Sequence, residues 1–334
     1  MIKQRILLPA AVLAGSLGLA GCGGGGSATG TPSLPVPPDS HLLGVNGNNY
    51  VAVGQATMSS AFYLTEAGGM LTASGGSPQL LQQAVGVTRR ALEATASAAP
   101  SAVELRQTLN CSQGGTLTLS LADANNNAQV DVGDVITLDA QACKEDGSVL
   151  QGRISLGLQT LRGSFGGNSY SATLAMTLTG FSASRGDDMV QGDGTLNLAL
   201  SQTAAGVTEL SLSTPRLVLG GRHAGQTFST TLTDSKLTLR VEPLGGSHKS
   251  SMSYSGSIAS NLFADKQVQI TTPQFLVASG NEAFPSSGQM LVKGSGNSAL
   301  RISPVSATHA RLELDAQGDG VYETQILKTW AELQ

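Results

Sequence analysis

The sequence predicts a mainly β protein: a large curved antiparallel sheet (half-barrel, barrel or sandwich) with one or two N-terminal helices packed on it. Three observations lead there. From Thr116 onward, apolar residues alternate with polar ones, as in Leu117, Leu119 and Leu121, or Leu196, Leu198 and Leu200. That is the period of strands with one apolar and one wetted face. Clusters of Gly, Asp and Asn separate these runs, as turns require. Finally, charged residues make up only 13% of the chain and Gly, Ser and Thr are abundant, a composition suited to a secreted β protein.

The elements follow in order. Residues 41–76 do not resolve by period: Tyr50 to Leu64 is apolar enough to be buried as helix or strand. A helix is expected over 77–96. Ser77 caps it, Pro78 suits its first position, and Leu80, Leu81, Ala84, Val85, Thr88, Ala91, Leu92 and Thr95 recur at helical spacing. Ser101 with Glu104 matches a capping box opening a short second helix through Gln107. Beyond it the alternating runs Ile154/Leu156/Leu158, Leu174/Met176/Leu178 and Leu237/Leu239/Val241 point to an antiparallel meander of about ten to twelve strands. Leu210-Ser211-Leu212-Ser213-Thr214-Pro215 is echoed by Val268-Gln269-Ile270-Thr271-Thr272-Pro273.

Area limits the architecture. Ten strands of about six residues present roughly 950 Å² on one face, whereas a helix of about 20 residues covers about 300 Å². The sheet must therefore fold onto itself, curl, or keep part of its apolar face for something else. Aromatics are 4% of the chain, too few for the two girdles of a membrane-spanning barrel.

The N-terminus carries Lys3 and Arg5, an apolar run from Ile6 to Gly18, and Leu19-Ala20-Gly21-Cys22. The run has the length of a signal h-region and is too short to span a bilayer. The stretch before Cys22 resembles a bacterial lipobox. That resemblance implies cleavage before Cys22, with covalent diacylglycerol on its thiol and an acyl chain on its new amino group. Several chains on one residue anchor stably. Gly23 stands where an inner-membrane retention aspartate would be, which implies sorting to the outer membrane, on its periplasmic face or at the cell surface.

The expected organisation is thus a signal peptide over 1–21, a Gly/Pro/Ser-rich flexible tether over 22–40, and a β-rich domain with a helical N-terminal part over 41–334. Loss of Lys3 and Arg5 moves the formal net charge from −4 to −6, which argues against nucleic acid as a partner. With Cys22 lipidated, Cys111 and Cys143 remain, and a disulfide between them is the simplest reading in an oxidising compartment.

Two loops have oxygen ligands at calcium-loop spacing. In the first, Asp123, Asn125, Asn127, Gln129 (through its carbonyl), Asp131 and Asp134 occupy ligand positions of a twelve-residue loop. It resembles the loop of dockerin repeats, with Ala128 in place of the turn glycine. The competing reading is an Asn-rich polar turn. In the second, Asp315, Gln317, Asp319 and Glu323 fit the same template, but position twelve is Ile326; a hairpin turn competes there.

Leu312-Glu313-Leu314-Asp315, Gly318-Asp319-Gly320, Tyr322-Glu323 and Trp330 resemble the C-terminal signature of uncharacterised proteobacterial outer-membrane lipoproteins. The lipobox and the Cys-bounded Asp/Asn loop add to that resemblance. No zinc-protease helix motif, P-loop or Gly-x-Ser-x-Gly elbow follows Cys22, so no enzymatic activity is expected. The expected function is a lipid-anchored protein that binds an apolar ligand or an envelope protein partner. Its fold would be similar to the half-barrel of periplasmic lipoprotein carriers. The alternative is a calcium-stabilised structural or adhesive envelope module.

Overall fold

The computed structural model describes residues 41–69, 105–125, 132–145, 147–163, 169–223, 226–280 and 282–333. Cys22 and the expected 77–96 helix lie outside these residues. The described residues fall within one compact unit, Pro38–Gln334.

Among the described residues, one α-helix, α1 (Tyr50–Gly69), precedes fourteen strands. These are β1 (Leu105–Asn110), β2 (Thr116–Ala122), β3 (Val135–Glu145), β4 (Ser148–Gly163), β5 (Tyr170–Arg185), β6 (Asp188–Gln202) and β7 (Thr208–His223). They continue as β8 (Gln226–Leu244), β9 (Ser247–Ser260), β10 (Gln267–Ser279), β11 (Ser287–Lys293), β12 (Ala299–Ser306), β13 (His309–Asp315) and β14 (Thr324–Thr329). Each strand pairs only with its sequence neighbours, so the sheet is an open antiparallel meander running from β1 to β14. This is the expected fold class, with more strands than the alternating runs suggested.

One expectation is overturned. Leu105–Gln107 is not helical but opens β1, with Leu105, Gln107 and Leu109 opposite Leu121, Leu119 and Leu117. The Ser-x-x-Glu letters are a local signal, and pairing with β2 along the whole length of β1 outweighs it.

The two faces are chemically opposite. Leu121, Ile136, Leu156, Met176 and Leu196 stand opposite one another across β2–β6, on the inner face. One residue away, Ser120, Thr137, Ser155, Thr177 and Thr195 form a row of hydroxyls on the outer face. A lipid-spanning barrel wall has the reverse arrangement, apolar outward.

Strands of 14–19 residues could not curve around a core if they were regular. They are broken along one line. Register shifts fall beside residues 141–142 of β3, 152 of β4, 179–180 of β5, 195–196 of β6, 234–235 of β8 and 272–273 of β10. Bulges bend strands and increase their twist, so this line curves the sheet. Gly194 shows the requirement: its φ is +138° and a Cβ would lie 2.6 Å from the Arg216 carbonyl oxygen. The repeated Thr-Pro pairs also lie on the line, Pro215 between register partners of Ser235 and Thr233 and Pro273 at the β10 shift. Proline has no N–H to give the ladder, so a bulge is where a long strand tolerates it.

The curved inner face wraps α1. The helix packs on β7, β8 and β9 and on β12 and β13. Val53, Met58, Ala61 and Leu64 are buried. Gly54 brings α1 so close to β13 that a Cβ there would meet the Leu312 side chain, and Thr65 Oγ1 lies 2.9 Å from Met252 Sδ on β9. A helix enclosed from several sides is apolar all round, which is why its period was unreadable.

The C-terminus clasps the same helix. Trp330 is buried; its ring stacks on Phe284 at 6.1 Å, and both meet Phe62 of α1 edge-on. Gln55 Nε2 donates to the Glu332 carbonyl at 2.8 Å. The Glu332 carboxylate accepts from the Thr329 N–H, the Thr329 hydroxyl and Lys328 Nζ at 2.8, 2.9 and 2.9 Å. The Thr329 N–H first, then Lys328 and the Thr329 hydroxyl, hold its pKa down to about 2. A carboxyl depressed in the folded state stabilises above its unfolded pKa and loses that contribution as pH falls through the folded value. Glu332→Gln is therefore expected to lower the melting temperature near neutral pH. The gap from wild type should close between about pH 4.5 and pH 2 in a thermal-melt series; a gap independent of pH would refute this role.

Candidate functional site

Three sequence-predicted sites fall on described residues, in whole or in part. Cys111 and Cys143 form a disulfide, with a Cα–Cα distance of 5.4 Å. It ties the β1–β2 turn to β3 beside Ala142, whose φ is +47°. Backbone bonds reinforce the tie, Lys144 N–H to the Gly114 carbonyl at 2.8 Å and Gln113 N–H to the Lys144 carbonyl at 3.1 Å. Closing 32 residues stabilises the fold by about 3–4 kcal/mol on the chain-entropy model.

At the first calcium-type loop, Asp123, Asn125 and Asp134 are described, and Asn127, Gln129 and Asp131 lie outside the described residues. Asp134 is buried and accepts from the Ala124 N–H at 2.9 Å, so its carboxylate ties the two ends of the β2–β3 connection. Asp123 accepts from the Asn125 N–H at 3.2 Å, an Asx-type turn.

The second loop is complete and more convergent. Asp315 ends β13, and one carboxylate oxygen from each of Asp315, Asp319 and Glu323 lies within 4.8 Å of the others. Asp315 is 3% exposed and organises the loop. Its Oδ1 accepts from the N–H groups of Gly318 and Asp319 at 2.6 and 3.2 Å, and its Oδ2 from Gly320 at 2.8 Å. Asp319 in turn accepts from the Val321 N–H at 2.8 Å. Gly318 has φ +73° and lies against Gly296 and Asn297, so no side chain fits there.

The Gln317 amide lies against the Glu323 carboxylate. Turned nitrogen-inward it donates to that carboxylate; turned oxygen-inward it would add a fourth oxygen to the group. The next turn is braced by Arg301. It makes two hydrogen bonds to Glu313, at 2.9 and 2.8 Å, and lies 3.9 Å from the Tyr322 ring centroid. The hydrogen bond to Arg301 holds the Glu313 pKa below the usual carboxylate range, and burial raises that of Tyr322.

Chemically, this loop offers three hard oxygen ligands on a preorganised backbone, the donor type that suits calcium. Template counting ranked it below the Asp123 loop because position twelve is Ile326. That residue belongs to β14, opposite Leu312, so Glu323 is the last acidic group in reach. The signal that could have found it is the Asp-Gly-rich turn between two strands with a glutamate directly after it.

A polar groove of about 490 Å³ opens beside this loop, lined by His41, Gln267, Gln269, Lys293 and Asn297 among others. Residues 42–43 join the sheet there: Leu42 bridges to Gln267, and Leu43 exchanges backbone hydrogen bonds with Gln267 and Ser295.

Compared with known proteins, the chain matches no family model, no curated protein and no solved structure.

Proposed function

We propose that this protein is a non-enzymatic structural or adhesive module of the cell envelope, held at the outer membrane by lipid on Cys22 and stabilised by calcium at Asp315, Asp319 and Glu323. The observation that carries the reading is α1: the chain's own helix occupies the curved face of β7–β9 and β12–β13, where a carrier of this kind would hold an apolar ligand. The hydroxyl-rich outer face suits contact with water or polar envelope polymers rather than with acyl chains. The anchor rests on Leu19-Ala20-Gly21-Cys22, and the resemblance to proteobacterial outer-membrane lipoproteins rests on that stretch and the C-terminal motifs.

The apolar-ligand reading retains one favouring observation. The inner face of β2–β6 is as leucine-rich as the rest, and among the described residues no helix packs on it to the extent that α1 packs elsewhere.

Two measurements test the proposal. In calcium titrations followed by thermal melting, saturation at about 100 times Kd adds about 2.7 kcal/mol; the shift should vanish in Asp319→Asn/Glu323→Gln, and no shift in wild type would remove calcium from the account. Wild type should take up labelled fatty acid and fractionate with membranes. Full-length Cys22→Ser should do neither, and native mass spectrometry should give the polypeptide mass alone. A co-purifying acyl lipid on Cys22→Ser would favour the carrier reading instead.

A further inference from the structure

The polar groove beside the Asp315 loop exists because two strands part there. β10 and β11 pair as far as Gln269 opposite Lys293. Beyond that point the chain turns from β11 towards β12, and residues 42–43 take the place of β11 beside β10. Leu42 bridges Gln267, and Leu43 bonds to Gln267 on one side and to Ser295 on the other. Val268, Ile270 and Val292 are buried on the inner face, so the alternation of a strand puts Gln267, Gln269 and Lys293 on the outer one. Gly294 and Gly296 line the same fork and carry no side chain to fill it. The result is a hollow of about 490 Å³, within the range of roughly 300–1,000 Å³ usual for small-molecule sites.

Its lining decides the class of occupant. Ligand pockets of this size are mostly apolar with a few polar groups. This one presents the amides of Gln267, Gln269 and Asn297, the His41 imidazole and the Lys293 ammonium, and among the described residues no carboxylate lines it. Elsewhere on the outer face neighbouring polar side chains satisfy one another, as Thr160 and Thr173 do at 2.7 Å, and Arg153 and Asp139 at 2.6 Å. In the groove they do not: none of these side chains makes a hydrogen bond or ion pair with another described residue. Gln269 and Lys293 are register partners, so an amide and an ammonium rise from Cβ atoms about 5 Å apart, and Gln267 follows about 7 Å along the strand. Amides donate and accept side by side, as neighbouring sugar hydroxyls require of a partner. The ammonium only donates and carries charge, which suits an anion. In a chain of net charge −4, a lysine in an acid-free hollow is where an anion meets least repulsion.

We propose that this groove binds an anionic saccharide unit, with Lys293 on its carboxylate or phosphate and Gln267, Gln269 and Asn297 on its hydroxyls. This deepens the adhesive reading above and rests on it. The test reads binding at the groove alone, so its failure leaves calcium stabilisation and lipid anchoring to their own measurements.

Full-length protein in detergent micelles is titrated by calorimetry with trigalacturonate, glucose 1-phosphate, maltotriose and inorganic phosphate. At least one of the two anionic sugars should bind, and neutral maltotriose should bind about tenfold more weakly or not at all. Binding of trigalacturonate alone assigns a carboxylated sugar, and binding of glucose 1-phosphate alone a phosphorylated one. Lys293→Ala and Gln269→Ala should each weaken the bound sugar about threefold to tenfold. Both side chains are exposed, so the melting temperature should not move. Lys249→Ala, at the other end of the β9–β10 pair, should leave the affinity unchanged. The proposal is overturned if neither anionic sugar binds at millimolar concentration, or if the two groove variants bind as wild type does. Maltotriose binding as tightly as the anionic sugars overturns it too. So does inorganic phosphate matching glucose 1-phosphate, which would mark an anion site without sugar recognition.

Discussion

Everything in this fold depends on keeping one apolar sheet face out of water. Leu232, Leu237, Tyr254, Ile258, Val268, Leu300 and Leu312 are all fully buried on that face, and they come from strands β8 to β13. Each large apolar side chain is worth about 1.5–3 kcal/mol when buried, so the inner face dominates the stability. An open meander has no second sheet to cover it. It curves instead, and the line of bulges through β3–β11 supplies the curvature. The helix, the bulge line and the C-terminal clasp serve one purpose: α1 fills the curve, the bulges make it, and Trp330 with Glu332 pins α1 in it.

The sheet was legible because period-two alternation is a local signal that survives burial of one face. Leu117/Leu119/Leu121 and Leu196/Leu198/Leu200 read correctly as inward-facing runs. Legibility failed where tertiary context removes or imitates a local signal. α1 has no polar stripe because the sheet encloses it, so Tyr50 to Leu64 carried no decisive period. Ser101 and Glu104 imitated a helix start, but Leu105–Asn110 had a full strand of partners in β2. The 214–215 and 272–273 echo was visible as letters. Its cause, two prolines placed along one bulge line, needs the register of β7, β8 and β10.

The candidate site was half legible for a related reason. Spacing rules find ligands contiguous in one loop, and they favoured Asp123 to Asp134. They cannot say which carboxylates converge. Asp315 is already buried and aimed by three N–H groups, so the loop that follows it is shaped before any cation arrives. Such preorganisation lowers the ordering cost of binding. The loop also packs on the Gly296–Asn297 turn, beside the point where residues 42–43 join the sheet, so a cation there would stiffen that junction.

Amide hydrogen exchange of the intact protein tests the central claim most directly. If the sheet wraps α1, the amides of Val53–Leu64 exchange as slowly as those of β8 and β12, through global unfolding alone. Fast exchange across α1 while those strands stay protected would mean that the helix does not occupy the curve, and the account of how this sheet buries its apolar face would be wrong.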